Sequence, residues 1–185
     1  VDDFLFTHIH SPLMLCLVVV AEPLIVLLYS AKWLPAVPYF RILCIAGLVN
    51  ILIHINRSIL MALGLSKSLF KVQILAISIG ILLMLVALNY DVFVFIASIA
   101  LYSFINWLLV ALKTGKNIGY SVCQQIKDIS ISLLLAVITT VVCLFTNNII
   151  SLESNILSLI VNVTIFLGLY LLLNVILKTS SFRIV

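Results

Sequence analysis

Charge is scarce in this sequence. Six Asp and Glu and ten Lys and Arg occur among 185 residues, 9% of the chain, where a soluble domain carries about 25%. With 65% of residues hydrophobic, a water-soluble globule would expose apolar patches far larger than soluble monomers tolerate. A soluble helical domain is excluded on that ground. The acids are also scattered, with Asp2-Asp3 the only adjacent pair, whereas metal-diphosphate chemistry wants clustered oxygen ligands. Cys16, Cys44, Cys123 and Cys143 never reach C-x-x-C spacing, and three of them lie in apolar runs. They read as small buried thiols rather than a metal or redox site. His8 and His10 have no further ligands close by in the sequence and fit a polar flank at a membrane interface. No G-x-S-x-G, H-E-x-x-H or phosphate-loop motif occurs. The expectation is therefore no metal, no cofactor and no catalytic residue; a membrane-embedded glycosyl- or acyl-transferase is the enzyme alternative. The cations form no basic face, which argues against a nucleic-acid partner.

What is present is length of apolar run. A helix needs about 20 apolar residues to cross a hydrocarbon core of about 30 Å. Six stretches approach that length, at 12–29, 38–62, 70–88, 92–112, 129–145 and 156–177. They are continuous and lack the alternation of a barrel strand, so helices are expected. The fold class is all-α integral membrane with about six transmembrane helices. Gly64 is placed to end the second helix, and Asn89-Tyr90-Asp91 makes a tight turn. The stretch from Lys113 to Lys127 reads as the longest connection, with Gln124, Gln125, Lys127 and Asp128 able to form an interfacial first turn. The chain opens Val1-Asp2-Asp3 without methionine and is expected to begin inside a longer protein.

Cations set the expected orientation. With a cytoplasmic C-terminal tail, six crossings return the N-terminus of this chain to the same side. Lys67, Lys71, Lys113, Lys116, Lys127, Lys178 and Arg183 then collect in the cytoplasm, against Lys32 and Arg41 on the far side with Asp91 and Glu153. In Tyr29 to Leu43, Tyr29 and Trp33 are interfacial aromatics. Lys32 extends its ammonium to the headgroups, and Pro38 suits the first turn of the next helix. This is a hairpin that turns the chain back into the membrane.

Polar residues inside the runs are the candidates for function. Glu22 lies seven residues from Tyr29, which puts it within about 5 Å of the bilayer midplane. An ionised carboxylate there costs at least about 2.5–3.5 kcal/mol, so it should face protein or water. Pro23 beside it removes a donor and frees the Val19 carbonyl. Glu22 is either a proton- or cation-coupling or substrate-contacting acid, or a protonated or paired structural one. Gly47, Asn50, His54 and Arg57 share one face of the second helix. Arg57 can snorkel to the cytoplasmic surface, or can line a hydrophilic path with His54 and Asn50. Asn106, Trp107, Asn162, Thr164 and Asn174 fit packing and helix–helix hydrogen bonding.

The ordered elements Ala21-Glu22-Pro23, Ala31-Lys32-Trp33 and Ala36-Val37-Pro38, within "PLMLCLVVVAEPLIVLLYSAKWLPAVPYFRIL", resemble the polysaccharide flippases. These are the Wzx-like O-antigen and teichuronic-acid exporters of a superfamily shared with multidrug exporters. "ILMALGLSKSLFKVQI" and "IGYSVCQQIKDISISLLLA" are similar to later segments of that family, the whole covering about residues 12–135. The chain differs in having Ser30-Ala31 where the family has a glycine before Lys-Trp, and Leu65 where it often has an arginine. The resemblance implies the C-terminal portion of a two-lobed helical bundle in the bacterial inner membrane. It implies transport of a lipid-linked oligosaccharide of the undecaprenyl diphosphate type for lipopolysaccharide, capsule or exopolysaccharide synthesis. Membrane lipids and other polysaccharide-assembly proteins are the implied partners; Glu22, Asn50, His54 and Arg57, singled out by their own positions, are the candidates for the substrate path and ion coupling of such a transporter. A multidrug exporter of the same superfamily is the alternative.

Overall fold

The computed structural model describes residues 2–149 and 155–176, and the regular structure among them is helical throughout. In chain order the helices are α1 (Asp2–Val19), α2 (Ala21–Tyr29), α3 (Val37–Ala62), α4 (Ser66–Ala87), α5 (Val92–Ile118), α6 (Val122–Ile149) and α7 (Asn155–Ile176). A 3-10 helix, Ala31–Ala36, leads into α3. By length and composition four spans can cross a bilayer: α3 with its 3-10 lead-in, α4, α5 and α7. The bent pair of α1 and α2 makes a fifth if counted as one span, and the apolar part of α6, Ser130–Thr146, is shorter. The protein is an all-α, multi-pass membrane protein. Lys178, Arg183 and Glu153 of the expected orientation, and the last residue of the expected 156–177 helix, lie outside the described residues.

Two local features refine or correct the sequence expectation. Pro23 is expected to kink the stretch 12–29, and the chain does more than bend: it breaks at Val20, where His10–Val19 meets Ala21–Tyr29 at 69°. Proline has no N–H to donate to the carbonyl four residues back, and its ring crowds that carbonyl. Breaking at Val20 puts Pro23 in the first turn of a new helix, where a missing donor costs little. The expected long connection from Lys113 to Lys127 is almost wholly helical, because α5 runs on to Ile118 and α6 starts at Val122. Gly119 closes α5 at φ 70° with its N–H on the Gly115 carbonyl. Ser121 then caps α6 reciprocally: the Gln124 amide donates to Ser121 Oγ at 3.3 Å and the Ser121 amide to Gln124 Oε1 at 2.7 Å. This is the capping box, which satisfies two otherwise orphaned donors.

The other breaks are closed by backbone geometry. After α3, Leu65 donates to the Leu60 carbonyl and Gly64, at φ 71°, to that of Met61, the paired bonds of a Schellman ending. At the hairpin between α2 and α3, the Tyr29 and Trp33 rings lie 6.3 Å apart, and Lys32 and Trp33 are exposed.

The chain forms two compact units and passes from one to the other within α3 and within α6. The first holds Val1–Cys44 and Ile129–Val185. Here α7 packs on α1 and α2, and Ala21, Ile25 and Val37 form a small core with Phe40. Asn162, Phe166, Tyr170 and Asn174 recur every fourth residue along α7 and are buried. Asn162 and Asn174 donate to the Ser158 and Tyr170 carbonyls one turn back, and the Tyr170 hydroxyl bonds the side chains of Asn174 and Ser132. Thr164, by contrast, is exposed.

The second unit is Ile45–Asp128. Its main helix pair is α4 on α5, and the residues α4 buries are Ala76, Gly80 and Ala87. Small residues let backbones approach closely where lipid supplies no hydrophobic drive. A Cβ on Gly80 would stand 2.6 Å from Tyr102 Cδ2, so the pair is set at a distance only glycine permits.

Ser30 carries the other backbone constraint. Its φ of 79° and ψ of 165° fall in a region that is essentially glycine's alone and costs about 1–3 kcal/mol for other residues. Ser30→Gly is expected to stabilise the full-length protein by about 1 kcal/mol or more, read as a rise in unfolding temperature in detergent; a fall would contradict the strain assignment.

Candidate functional site

The break between α1 and α2 builds the first polar locus. In an unbroken helix the Val18 carbonyl would pair with the Glu22 amide; here it accepts Arg41 Nε at 3.3 Å. A cation at a helix C-terminus also meets the negative end of the macrodipole. Arg41, read from the sequence as an outer-side cation, is thus half-buried against the end of α1. Pro23 announces a freed Val19 carbonyl, but nothing in the sequence announced that Arg41 would take the neighbouring Val18 carbonyl. Glu22 sits in the first turn of α2, between buried Ala21 and Pro23, and is exposed on this unit. An acid in a first turn faces the positive end of the new helix.

The second unit contains the polar stripe of α3. Asn50 and His54 are exposed, while Gly47 and Arg57 are half-buried. The opposite face of α3 packs inward, with Ile53 against Trp107 and Ala111 of α5. Asn50 and His54 therefore lie off the packed face of α3, whereas Gly47 and Arg57 are partly covered within the unit. Arg57 reaches across to α4, where its Nη2 donates to Gln73 Oε1 at 2.7 Å, and its buried Nε has no acceptor among the described residues. Glu22 belongs to the first unit and Asn50, His54 and Arg57 to the second.

One residue that sequence reasoning missed is Asn56. It is 3% exposed and faces Gln125 of α6, 4% exposed. Asn56 Nδ2 donates to Gln125 Oε1 at 2.9 Å, and Gln125 Nε2 donates back to Asn56 Oδ1 at 3.2 Å. Asn56 Nδ2 also reaches the Leu52 carbonyl, and Thr114 Oγ1 of α5 the Asn56 carbonyl at 3.4 Å. Three helices are tied by amides that no water could otherwise satisfy. Its sequence signal was faint, because Asn56 stands one residue off the stripe that ends in Arg57. Gln125, read as part of an interfacial first turn, is a buried helix-linking residue.

Asn106 and Trp107 are buried as a packing role requires, but no interhelical hydrogen bond of theirs occurs among the described residues. Asn106 Oδ1 and Trp107 Nε1 have no partner among the described residues. The Trp107 ring instead packs on Phe104, centroids 5.4 Å apart, and on Ile53. No group of three or more metal-ligating side chains occurs among the described residues.

Comparison with known proteins adds one partial likeness. A stretch of 56 residues is 38% identical to the teichuronic acid biosynthesis protein TuaB of Bacillus subtilis (strain 168). The stretch is 30% of this chain and 12% of that protein's length. No protein-family model matches the chain, and no solved structure matches it.

The reciprocal amide pair has a measurable signature. Asn56→Leu and Gln125→Leu are each expected to destabilise by about 1–2 kcal/mol, because each strands the other amide in an apolar interior. The double replacement should cost clearly less than the two singles combined. Additive losses in detergent unfolding would show that the pair is not coupled.

Proposed function

We infer that this chain is part of a membrane exporter that carries a lipid-linked oligosaccharide, of the undecaprenyl diphosphate type, from the inner to the outer leaflet. The observation that carries the reading is the 69° break between α1 and α2, with Arg41 on the released Val18 carbonyl and Glu22 in the turn beyond it. Broken spans with an acid beside them are how helical transporters hold polar groups at depth in a bilayer. The likeness to a teichuronic acid biosynthesis protein supports polysaccharide precursors as the cargo class. Absence of a clustered set of metal-binding acids in the sequence favours transport over metal-assisted transfer.

In this reading the outward polar face of α3, Asn50, His54 and Arg57, lines the cytoplasmic half of a hydrophilic path. Arg57 meets the substrate's diphosphate, which its planar donor fork suits. In the first unit, taken by itself, Glu22 couples a proton or cation, or contacts substrate. The cargo crosses as two lobes rock about the path, and this chain supplies most of one lobe. The protein lies in the bacterial inner membrane with both ends of this chain in the cytoplasm, where most of its lysines fall. Bilayer lipids and other polysaccharide-assembly proteins are its surroundings.

The test is complementation. The full-length gene should restore surface polysaccharide in a strain lacking its flippase, scored by staining whole cells. Arg57→Ala should abolish that restoration, and Glu22→Gln should lower it about tenfold or more, with protein levels in the membrane unchanged. Full restoration by Arg57→Ala would remove Arg57 from the path. Drug efflux without polysaccharide export would favour the multidrug branch.

A further inference from the structure

The Arg57–Gln73 contact carries a second step, which rests on the reading of Arg57 as a path residue. A guanidinium offers five N–H donors. The acceptor Arg57 finds among the described residues is the Gln73 amide oxygen, at 2.7 Å, and its buried Nε has none. Both residues belong to the same unit, one on α3 and one on α4. Arg57 lies five residues before the end of α3 at Ala62, about 8 Å along the axis. That depth is still apolar, yet within reach of the headgroup layer.

The chemistry of the holder matters. A glutamate at this place would fix the guanidinium equally well, but would also cancel its charge. A neutral amide fixes the direction of the fork and leaves the positive charge whole. An uncompensated cation at this depth is costly until an anion arrives, and the remaining coplanar donors match the oxygens of phosphate better than a point charge does. We propose that Gln73 is a positioning residue that holds Arg57 as a receptor for a phosphate group, carried either by a bilayer headgroup or by the diphosphate of the lipid-linked substrate.

The experiment uses full-length protein in nanodiscs of phosphatidylcholine, with or without phosphatidylglycerol, and farnesyl diphosphate as the probe. Binding and thermal unfolding are recorded for each variant. Gln73→Glu should unfold at the wild-type temperature or above, since a carboxylate still accepts from Arg57, yet bind the probe about tenfold more weakly or worse. A merely structural role would not separate those two readouts. Wild-type affinity in Gln73→Glu, or weakening that tracks a lost unfolding temperature, overturns the positioning role. So does failure of the wild-type protein to bind the probe in either disc. Arg57→Ala tests the underlying reading separately: unchanged binding removes Arg57 itself, whereas its loss beside an unaffected Gln73→Glu removes only Gln73. Competition by phosphatidylglycerol assigns the site to bilayer phosphate, and indifference to it assigns the site to the diphosphate; either supports a phosphate receptor held by a neutral amide.

Discussion

Hydrocarbon offers no hydrogen bonds, and most of this structure follows from that one constraint. Every backbone N–H and C=O within the bilayer must be satisfied by the chain itself, which is why the described residues are helical from end to end. The constraint bites hardest at Pro23, where one donor is missing. The chain does not stretch a bond there; it ends one helix at Val19, starts another at Ala21, and brings Arg41 from α3 to the Val18 carbonyl. The break leaves Glu22 in the first turn of α2 and Arg41 on the end of α1.

The same rule sorts the polar side chains into two populations. Those that turn inward close on backbone or on each other. Asn162 and Asn174 bond the carbonyls one turn back, Ser132 meets Tyr170, and Asn56 and Gln125 exchange two hydrogen bonds. Those that turn outward from their own unit, Glu22, Asn50 and His54, are exposed. Arg57 stands between the populations, half-buried and tethered to the Gln73 amide. Inward polar groups in lipid act as joints between helices, whereas outward ones at the same depth require another polar surface to face.

Close packing in the second unit uses a different device. The stripe of Ala76, Gly80 and Ala87 lets α4 settle against α5 with Tyr102 lying over the glycine. Without water to drive apolar faces together, van der Waals contact over small residues supplies the attraction. The spacing of alanine and glycine four apart was present in the sequence and is the kind of signal a hydropathy reading passes over.

Composition and run length alone settled the membrane class, the helical architecture and the α3–α4 and α4–α5 turns, because the transfer free energy of long apolar runs is large and local; of the cysteines expected to be buried, Cys44 and Cys143 are, Cys16 is half-buried and Cys123 is exposed. The sequence also exposed Glu22 beside Pro23 and the four-membered face of α3, since proline chemistry and the 3.6-residue period act within one helix. Pro23 marked a kink in the first span, but the sequence did not reveal the docking of Arg41 on Val18, the pairing of Asn56 with Gln125 or the Gln73 tether on Arg57. Those join residues separated by 16 to 69 positions, and no local propensity encodes them. Which polar group faces a partner and which faces outward depends on how helices rotate about their axes when they pack, and only the tertiary structure fixes that rotation.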